Sequence, residues 1–332
     1  MSVAKRTDLS FTVFTPTYNR ARTLERVYAS LRAQTFRDFE WLVVDDGSED
    51  ETPVLVSEWE SVADFPIRYL CQSNLGKAAA SNRAVEEARG RLFLTLDSDD
   101  ACVPHALERL KYHWDSIPDE ERTGFSGVTA VCVDQNGKLV GDEFPSSPLD
   151  SDSLEIRLRY KVRGEKWGFQ RTDVLRRFPL PMSDRGPMYI PEGLVWRRIA
   201  RQYKTRFVNE RLRIYWYEDG AEDHISIPRD FRNAVGGFAL NAREQLNWDL
   251  DWFHHAPAEF LKAACQYSRF SLDGGISLPL QARSLQSRHA KLLWAATLPA
   301  GAALYWMDRT GIIHRVDPSL RRLAARWTST VG

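Results

Sequence analysis

Short apolar runs alternate with helix-length amphipathic stretches from Phe11 to about residue 115, and this alternation constrains the fold more than any other feature of the chain. The runs that have the length and composition of strands are FTVFT (11–15), EWLVVD (40–45), IRYLC (67–71) and RLFLTLD (91–97). Between them, apolar residues recur every three or four positions, as in Leu24, Val27 and Leu31, which predicts helices. Strands that alternate with helices form a mostly parallel sheet covered on both faces, so we predict an α/β fold.

A polar segment follows each of these four predicted strands. The segments are TPTYNR (15–20), DDGSED (45–50), QSNLGK (72–77) and DSDD (97–100). Ligands of open α/β sheets bind outside the carboxyl ends of the strands. The sequence therefore predicts a functional site that these four segments build together.

The DSDD segment is the strongest chemical signal, because like charges packed this closely repel one another unless a cation holds them. Asp97 and Asp99, two positions apart, can jointly serve a divalent ion and a ribose. A hard oxygen site that shares its ligands with phosphates suits Mg²⁺ or Mn²⁺. The alternative interpretation is an acidic turn that caps a helix starting near Pro104.

The segments after the first two strands offer groups that suit a nucleoside. Asp45 and Asp46 follow the second strand, and a carboxylate at such a position can accept hydrogen bonds from a base imide or a ribose. The first strand can supply the rest of the base pocket, with backbone groups for contact and an aromatic ring for stacking. These residues are Thr15, Pro16, Thr17 and Tyr18.

The segment after the third strand suits phosphate. Asn74, Gly76 and Lys77 stand at a strand-to-helix turn, where both a helix N-terminus and an ammonium group favour an anion. Neither the GxxxxGK[ST] spacing nor the GxGxxG spacing occurs. This disfavours P-loop kinases and dinucleotide-dependent dehydrogenases.

The four segments, in this order and spacing, resemble the motifs of glycosyltransferase family 2, strongly over residues 11–115 and more weakly to about 217. The resemblance implies the GT-A fold, a Rossmann-like and mostly parallel sheet flanked by helices. It also implies the inverting transfer of a sugar from a nucleotide-sugar, commonly a UDP-sugar, to an acceptor hydroxyl. Asp46 would lie at the nucleotide base, and Asp97 and Asp99 would form the DxD motif, with Ser98 between them as a further contact of the nucleotide-sugar. Asp99 would be the main metal ligand and Asp97 a second one, and Asp100 could take part in place of Asp99.

The resemblance further implies a carboxylate general base in the second half of the chain. The matching segment, PMYIPEGLVWRRIA, offers Glu192 at a predicted helix start, and Asp184 in the preceding loop is its competitor. The alternative for Glu192 is a carboxylate that the helix dipole stabilises. In GEKWGFQRTDV (164–174), Lys166 and Trp167 are expected to contact the acceptor, although a tryptophan here also suits a core.

Beyond residue 115 the pattern loosens. We predict a hairpin of 125–134 and 138–144 around Asn136-Gly137, a surface loop over 144–153, a helix over 192–203 and a strand over 211–217. The chain then turns helical from about 228. We accordingly predict a GT-A catalytic domain over 1–228 and a helical C-terminal region over 229–332, with a nucleotide-binding half over 11–115 and an acceptor-side half over 116–228.

Composition limits the partners and the compartment. Lys plus Arg equals Asp plus Glu, 45 against 45, so no overall field attracts nucleic acid. The four cysteines are widely spaced and form no zinc pattern, which suits free buried thiols in a reducing compartment. MSVAKRTDLS lacks the apolar core of a signal peptide, and no run reaches the roughly 20 apolar residues of a membrane span. We expect a cytoplasmic protein.

The C-terminal region has one apolar run, 292–307, that basic residues flank on both sides within 283–327. Such a segment can lie in the interface of the inner face of the cell membrane, where it would meet a lipid-linked acceptor. The alternative is a helical subdomain packed on the catalytic domain or on a second protomer. The expected acceptor, a bacterial surface polysaccharide or glycolipid, rests on family analogy alone.

Two other functions compete with transfer. A catalytically inactive nucleotide- or sugar-binding module would use the same pocket, but it would have little need of the carboxylates Asp97 and Asp99. A GT-A-like nucleotidyltransferase would also need a metal and a nucleotide pocket. Such enzymes normally begin with a glycine-rich basic loop, and TPTYNR contains no glycine.

Overall fold

The computed structural model describes residues 9–182, 188–217 and 231–310. These residues fall into two compact units, one made of 9–182 and 195–217, the other of 188–194 and 231–310. The division into a catalytic domain over 1–228 and a helical region over 229–332 stays a prediction. The segment 188–194, which the sequence analysis gave to the catalytic domain, belongs to the helical unit instead.

The first unit is built on one nine-stranded sheet with the order β3-β2-β1-β4-β8-β6-β9-β5, in which β7 also pairs with β9. The strands are β1 (Leu9–Thr17), β2 (Phe39–Asp45), β3 (Ile67–Cys71), β4 (Gly90–Thr95), β5 (Ala101–Cys102), β6 (Phe125–Asp134), β7 (Leu149–Ser151), β8 (Lys166–Arg171) and β9 (Lys204–Tyr215). The first four are parallel, whereas β8 runs antiparallel to both β4 and β6. The predicted α/β fold is confirmed.

Helices cover this sheet. They are α1 (Ala21–Arg32), α2 (Thr52–Val62), α3 (Lys77–Glu87), α4 (Ala106–Asp115), α5 (Asp119–Arg122), α6 (Ser153–Leu158), α7 (Thr172–Arg177) and α8 (Gly193–Ala200), of which α8 spans the division between the units. Apolar side chains from α1 and α4 meet those of β1, β2 and β4 in one continuous core. Trp41 of β2 lies fully buried there, and its ring stacks with those of Tyr28 and Trp59. Because this core fixes the strands, it also fixes the loops at their carboxyl ends.

Three local predictions need correction. The arm after the turn at 135–137 is no strand, because only Leu139 bridges back to Val133. The chain then leaves the sheet to pair with a neighbouring turn, where the Asp142 N–H donates to the Arg163 carbonyl. The predicted loop 144–153 contains β7, and the predicted strand 211–217 is the end of the longer β9. Of the four free cysteines, Cys71 is exposed.

The second unit is helical, as predicted for the C-terminal region. Its helices are α9 (Phe231–Trp248), α10 (Pro257–Asp273), α11 (Leu278–Ser284) and α12 (Arg288–Arg309), with a short 3₁₀ turn at Leu250–Trp252. Trp294 of α12 is buried, and its indole N–H donates to the Gln281 side chain over 3.1 Å. None of the helices in the described ranges has both the length and the apolar character that a bilayer span requires.

Candidate active site

The carboxyl ends of the four parallel strands bring the four polar segments to one edge of the sheet. Thr17 pairs with Asp45, and Asp45 pairs with Cys71, so the ends of β1, β2 and β3 lie side by side. On the other side of β1, the Leu96 N–H donates to the Phe14 carbonyl, which aligns the segment after β4 with the same edge. The predicted meeting of these segments is confirmed.

Asp45 and Asp46 organise the loops of this edge. Asp45 is fully buried, and its carboxylate accepts hydrogen bonds from the N–H and hydroxyl of Ser48 and from the Tyr69 hydroxyl. Burial, together with the Asp45 carboxylate, raises the pKa of Tyr69 well above its usual range. Ser48 in turn accepts from the Asn19 N–H, so Asp45 ties the loops after β1 and β2 together.

Asp46 holds the loop that precedes α3. One of its oxygens accepts from the Gln72 side chain at 2.8 Å and from the Leu75 N–H at 2.9 Å, and the other accepts from the Gly76 N–H at 2.7 Å. Gly76 has a φ of 89°, a backbone conformation that favours glycine. Asp46 therefore shapes the loop that leads to Lys77, while Asn74 lies exposed within that loop.

Asp97 stands between two cations. One oxygen accepts from the Lys77 ammonium at 2.9 Å, and the other accepts from the Arg213 guanidinium at 3.0 Å. Burial alone would raise the pKa of Asp97, but the charges of Lys77 and Arg213 hold that pKa well below its usual range. Asp97 is consequently a fixed carboxylate anion at any physiological pH.

Asp100 is buried to 2% exposure and faces the same arginine. The Arg213 side chain donates to one Asp100 oxygen, from Nε at 2.7 Å, and the Trp216 N–H donates to the other at 3.1 Å. Burial raises the pKa of Asp100 to about 6, although Arg213 opposes this rise. Both oxygens of Asp100 accept from protein donors, so Asp100 anchors Arg213, and its role as a metal ligand stays a prediction.

Asp99 differs from its neighbours, because its carboxylate makes no hydrogen bond or ion pair with the described residues, while its backbone carbonyl accepts from Arg26. In the ranges 9–182, 188–217 and 231–310, no group of three or more His, Cys, Asp or Glu residues could hold a metal by itself. Mg²⁺ commonly takes one or two protein carboxylates and completes its shell with phosphates and water. The Asp99 carboxylate fits that chemistry.

Two buried polar atoms at this edge lack partners among the described residues. They are the hydroxyl of Thr17, at the end of β1, and the indole N–H of Trp216, which follows β9. The Arg26 guanidinium lies 4.0 Å over the Trp216 ring and so fixes the indole in place. A buried donor without a partner costs about 1–3 kcal/mol. Such atoms are therefore suited to contact a ligand.

Arg213 is the functional residue that the sequence analysis missed. It lies on β9, more than a hundred residues from Asp97 and Asp100 in the chain, and only the pairing of β9 with β5 and β6 brings it to this edge. Its side chain is 8% exposed. The one local signal was a basic residue inside an apolar strand, which calls for a buried counter-charge.

The other predicted nucleotide contacts occupy different settings. The Thr15 side chain is fully buried and accepts from the Trp41 indole at 2.9 Å, so only its backbone can serve a ligand. Tyr18 is 47% exposed at the edge, where its ring is accessible. Pro16 is half-buried between them, and Ser98, within the segment after β4, is buried.

The prediction that Trp167 contacts the acceptor is wrong. Trp167 is 3% exposed, its indole donates to the Thr95 carbonyl at 2.6 Å, and its ring belongs to the core of the sheet, so no face is left for a sugar. The Lys166 ammonium is directed at backbone carbonyls of its own turn, including Arg163 at 2.8 Å. Burial also lowers the pKa of Lys166.

Of the two candidate bases, the structure describes only Glu192. Glu192 is partly buried immediately before α8, in the segment that belongs to the second unit, and it has partners of its own. Asp184 lies outside the described residues. The roles of both residues stay predictions.

Comparison with known proteins identifies the family of this chain. The family model described as Glycosyl transferase family 2 matches residues 12–170. An uncharacterised glycosyltransferase of Nostoc sp. is 35% identical over 226 residues, which cover 66% of this chain and 67% of the relative. The chain belongs to glycosyltransferase family 2. The matched region contains all four segments of the sheet edge but not β9, which carries Arg213.

One further relative and one solved structure are also similar to this chain. A GalNAc(5)-diNAcBac-PP-undecaprenol beta-1,3-glucosyltransferase of Campylobacter jejuni is 27% identical over 210 residues, which cover 61% of this chain and 63% of that protein. The chain thus spans less than two thirds of that relative. The structure of S. aureus TarS 1-349 in complex with UDP-GlcNAc matches with a TM-score of 0.57 at 19% identity, over 91% of this chain and 92% of that one. At this identity the likeness shows the shared GT-A fold.

Proposed function

We propose that the protein is an inverting glycosyltransferase that moves a sugar from a UDP-sugar to the hydroxyl of a glycan or lipid-linked acceptor. The observation that carries the proposal is the segment Asp97 to Asp100 at the carboxyl edge of a parallel sheet, beside Lys77 and the loop that Asp46 holds. Membership of family 2 supports the reaction class. The UDP-GlcNAc complex of TarS, which shares the fold, supports the donor class.

In this proposal the donor lies along the sheet edge. The base sits at the end of β1, where the Thr17 hydroxyl lacks a partner among the described residues and the Tyr18 ring is accessible. Asp46 acts at the base and also through the loop it shapes, and Asn74 contributes from that loop. Lys77 and the first turn of α3 supply positive potential for the diphosphate. Asp97, which Arg213 holds in one position, accepts from the ribose.

Asp99 is the proposed protein ligand of a divalent ion, Mg²⁺ or Mn²⁺. When bound, such an ion offsets the charge that develops on the leaving nucleoside diphosphate. Arg213 and Lys77 keep Asp97 ionised, so Asp97 can support the ion or the ribose without competing for a proton. Asp100 is the less favoured ligand, because its side chain is 2% exposed, whereas that of Asp97 is 31% exposed.

Inversion requires the acceptor oxygen to attack the anomeric carbon from the face opposite the nucleoside diphosphate. The new carbon–oxygen bond forms as the bond to the diphosphate breaks, and a carboxylate takes the acceptor proton. We propose Glu192 as this base, with Asp184 as the competitor. Residue type and place in the family pattern support Glu192.

The acceptor is proposed to reside at a membrane surface, as the undecaprenol in the name of the Campylobacter relative suggests. On α12, Leu292 is 68% exposed and Trp306 is 59% exposed, and basic residues stand at both ends of this helix. An apolar helix face with a tryptophan and flanking cations suits the membrane interface. Contact of this face with a second copy of the chain is the competing proposal.

A thermal-shift screen tests the donor pocket. The purified protein is mixed with UDP, GDP, CMP or dTDP, each with and without Mn²⁺, because a ligand that binds only the folded state raises the melting temperature. We expect UDP with Mn²⁺ to give the largest increase. Release of UDP from a UDP-sugar then separates a transferase from an inactive binding module, and release of diphosphate from UTP and a sugar phosphate would instead indicate a nucleotidyltransferase.

A further inference from the structure

The opposite edge of the same sheet carries a cleft of about 850 Å³. One part of its wall comes from the sheet, at the starts of β1 and β4 and at the junction of β8 with α7. The other part comes from helix α5 and from the C-terminal ends of helices α3 and α4. Ser10, in this cleft, lies seven positions before Thr17, which stands at the donor edge of the same strand. A strand rises roughly 3.3 Å per residue, so the two sites are about 23 Å apart along the strand.

Six basic side chains line this cleft against two acidic ones, a local excess of four positive charges in a chain whose total charge is zero. The basic residues are Arg89, Arg91, Lys111, Arg122, Arg171 and Arg176. Five of the six are arginines, and the planar guanidinium group matches the oxygens of phosphate better than an ammonium does. The composition of the cleft is therefore that of a site for closely spaced phosphate groups.

Ion pairs hold three of the six cations. Asp173 pairs with Arg171 at 2.6 Å, Asp115 pairs with Lys111, and Asp119, which does not line the cleft, pairs with Arg122 at 2.7 Å. Arg176 donates to backbone carbonyls at the end of α3, including that of Ala88 at 3.0 Å, so its position is fixed while its charge stays unneutralised.

Arg89 is the most available cation in the cleft. Its N–H is held by the side chains of Thr12 and Glu40, but its guanidinium makes no hydrogen bond or ion pair with the described residues. A strand start thus fixes the Arg89 backbone and leaves its side chain to reach into the cleft. Arg91, two residues along β4, is exposed and lines the same cleft.

We propose that this cleft binds a ligand with two or more closely spaced phosphate groups, at a site distinct from the donor pocket. The cleft is open and large enough to hold several phosphate groups side by side. Such groups come either from a phosphate-bearing soluble polymer or from the headgroups of an anionic membrane. Both sources present the same chemistry to the arginines. Binding of phosphate in this cleft does not require sugar transfer, so this proposal can be tested independently of the proposed reaction.

The test uses inorganic tripolyphosphate as the soluble probe and vesicles of phosphatidylglycerol with phosphatidylcholine as the membrane probe. Titration calorimetry with the full chain is carried out in EDTA, so that no metal complex of tripolyphosphate forms. The variant Arg89→Gln/Arg91→Gln halves the charge excess and keeps polar side chains. Its matched control, Arg32→Gln/Lys138→Gln, removes two exposed charges that lie outside the cleft.

We expect wild-type protein to bind tripolyphosphate, the cleft variant to bind it about tenfold more weakly, and the control to bind like wild type. Binding of phosphatidylglycerol vesicles that also depends on Arg89 and Arg91 would assign the headgroup source, and vesicle binding that is absent or independent of them would assign the soluble source. No binding of either probe to wild type overturns the proposal. So does equal weakening in the control, or a loss caused by Lys77→Ala instead, which would place the phosphate in the donor pocket.

Discussion

Replacement of Arg213 by methionine tests how the donor edge is held together. Arg213 is buried and bonds to both Asp97 and Asp100, so methionine removes the charge and leaves a side chain of similar length. Removal of one partner of a buried ion pair typically costs about 3–5 kcal/mol, because the other charge stays buried without compensation. We expect a loss of this size in the free energy of unfolding of the first unit.

The pH dependence of the stability of the Arg213→Met variant shows whether Asp100 is the buried carboxylate that loses its partner. Its pKa is already about 6 with Arg213 beside it, and removal of the arginine takes away the effect that lowers this pKa. The folded variant then binds a proton more tightly than the unfolded chain, so its stability falls as the pH rises through the folded pKa of Asp100. The deficit relative to wild type should therefore grow between pH 5.5 and pH 8.

Urea unfolding at both pH values measures this, with two companion variants. Asp100→Asn/Arg213→Met removes the stranded carboxylate and should recover about 2 kcal/mol of the loss, as expected for residues in direct contact. This double variant should bind UDP more weakly than wild type, because Arg213 no longer fixes the position of Asp97. Arg213→Lys keeps the positive charge but lacks the planar guanidinium group, so its free energy of unfolding should lie between those of wild type and Arg213→Met. A methionine variant within about 1 kcal/mol of wild type at both pH values would refute this account of the site.

Three further predictions concern single residues. Asp99→Asn should leave the melting temperature of the free protein unchanged and abolish the extra stabilisation that Mn²⁺ adds to UDP binding, measured by thermal shift. Glu192→Gln should retain UDP binding and reduce transfer by about 10²–10⁴-fold, measured as UDP release, and near-normal turnover would exclude Glu192 as the base. Arg109 and His113 lower the pKa of Glu210 to about 2, so Glu210 stabilises the fold fully above its unfolded pKa of about 4.5. This contribution should disappear as the pH falls from about 4.5 to 2, and Glu210→Gln should flatten that part of the acid unfolding curve.

The sequence predicted the donor edge well because its parts are local. Each of the four strands is a short apolar run followed at once by its polar segment, and parallel pairing places successive ends together. Asp46, Lys77 and Asp97 could therefore be assigned to one edge before any coordinates. The helical nature of residues 231–310 was also visible, because apolar periodicity needs no knowledge of tertiary contacts.

What the sequence did not reveal depends on contacts between distant segments. Arg213 reaches Asp97 only through the pairing of β9 with β6, and the roles of neighbouring aspartates depend on which of them that arginine occupies. Trp167 failed for a different reason, because a tryptophan in a strand suits a sugar platform and a core equally well. Its burial follows from the position of β8 between β4 and β6.

The predicted second arm of the hairpin was displaced by backbone packing. Gly141 has a φ of 88°, and a Cβ atom there would lie 2.3 Å from the Arg163 carbonyl oxygen. The chain therefore crosses close to the turn at 163–164 and does not continue beside β6. Alternation of apolar residues in KLVGDEF could not reveal this crossing, because the partner turn is more than twenty residues away.

Donor hydrolysis followed by ¹H NMR tests the central proposal most directly, since it needs no knowledge of the acceptor. Wild-type protein with Mn²⁺ is incubated with an α-linked UDP-sugar, and the anomer of the free sugar is recorded before it mutarotates. The account predicts that the β-anomer appears first, that UDP is released in equal amount, and that Asp99→Asn abolishes both signals. Appearance of the α-anomer first would contradict inversion, and equal hydrolysis by Asp99→Asn would contradict the proposed site.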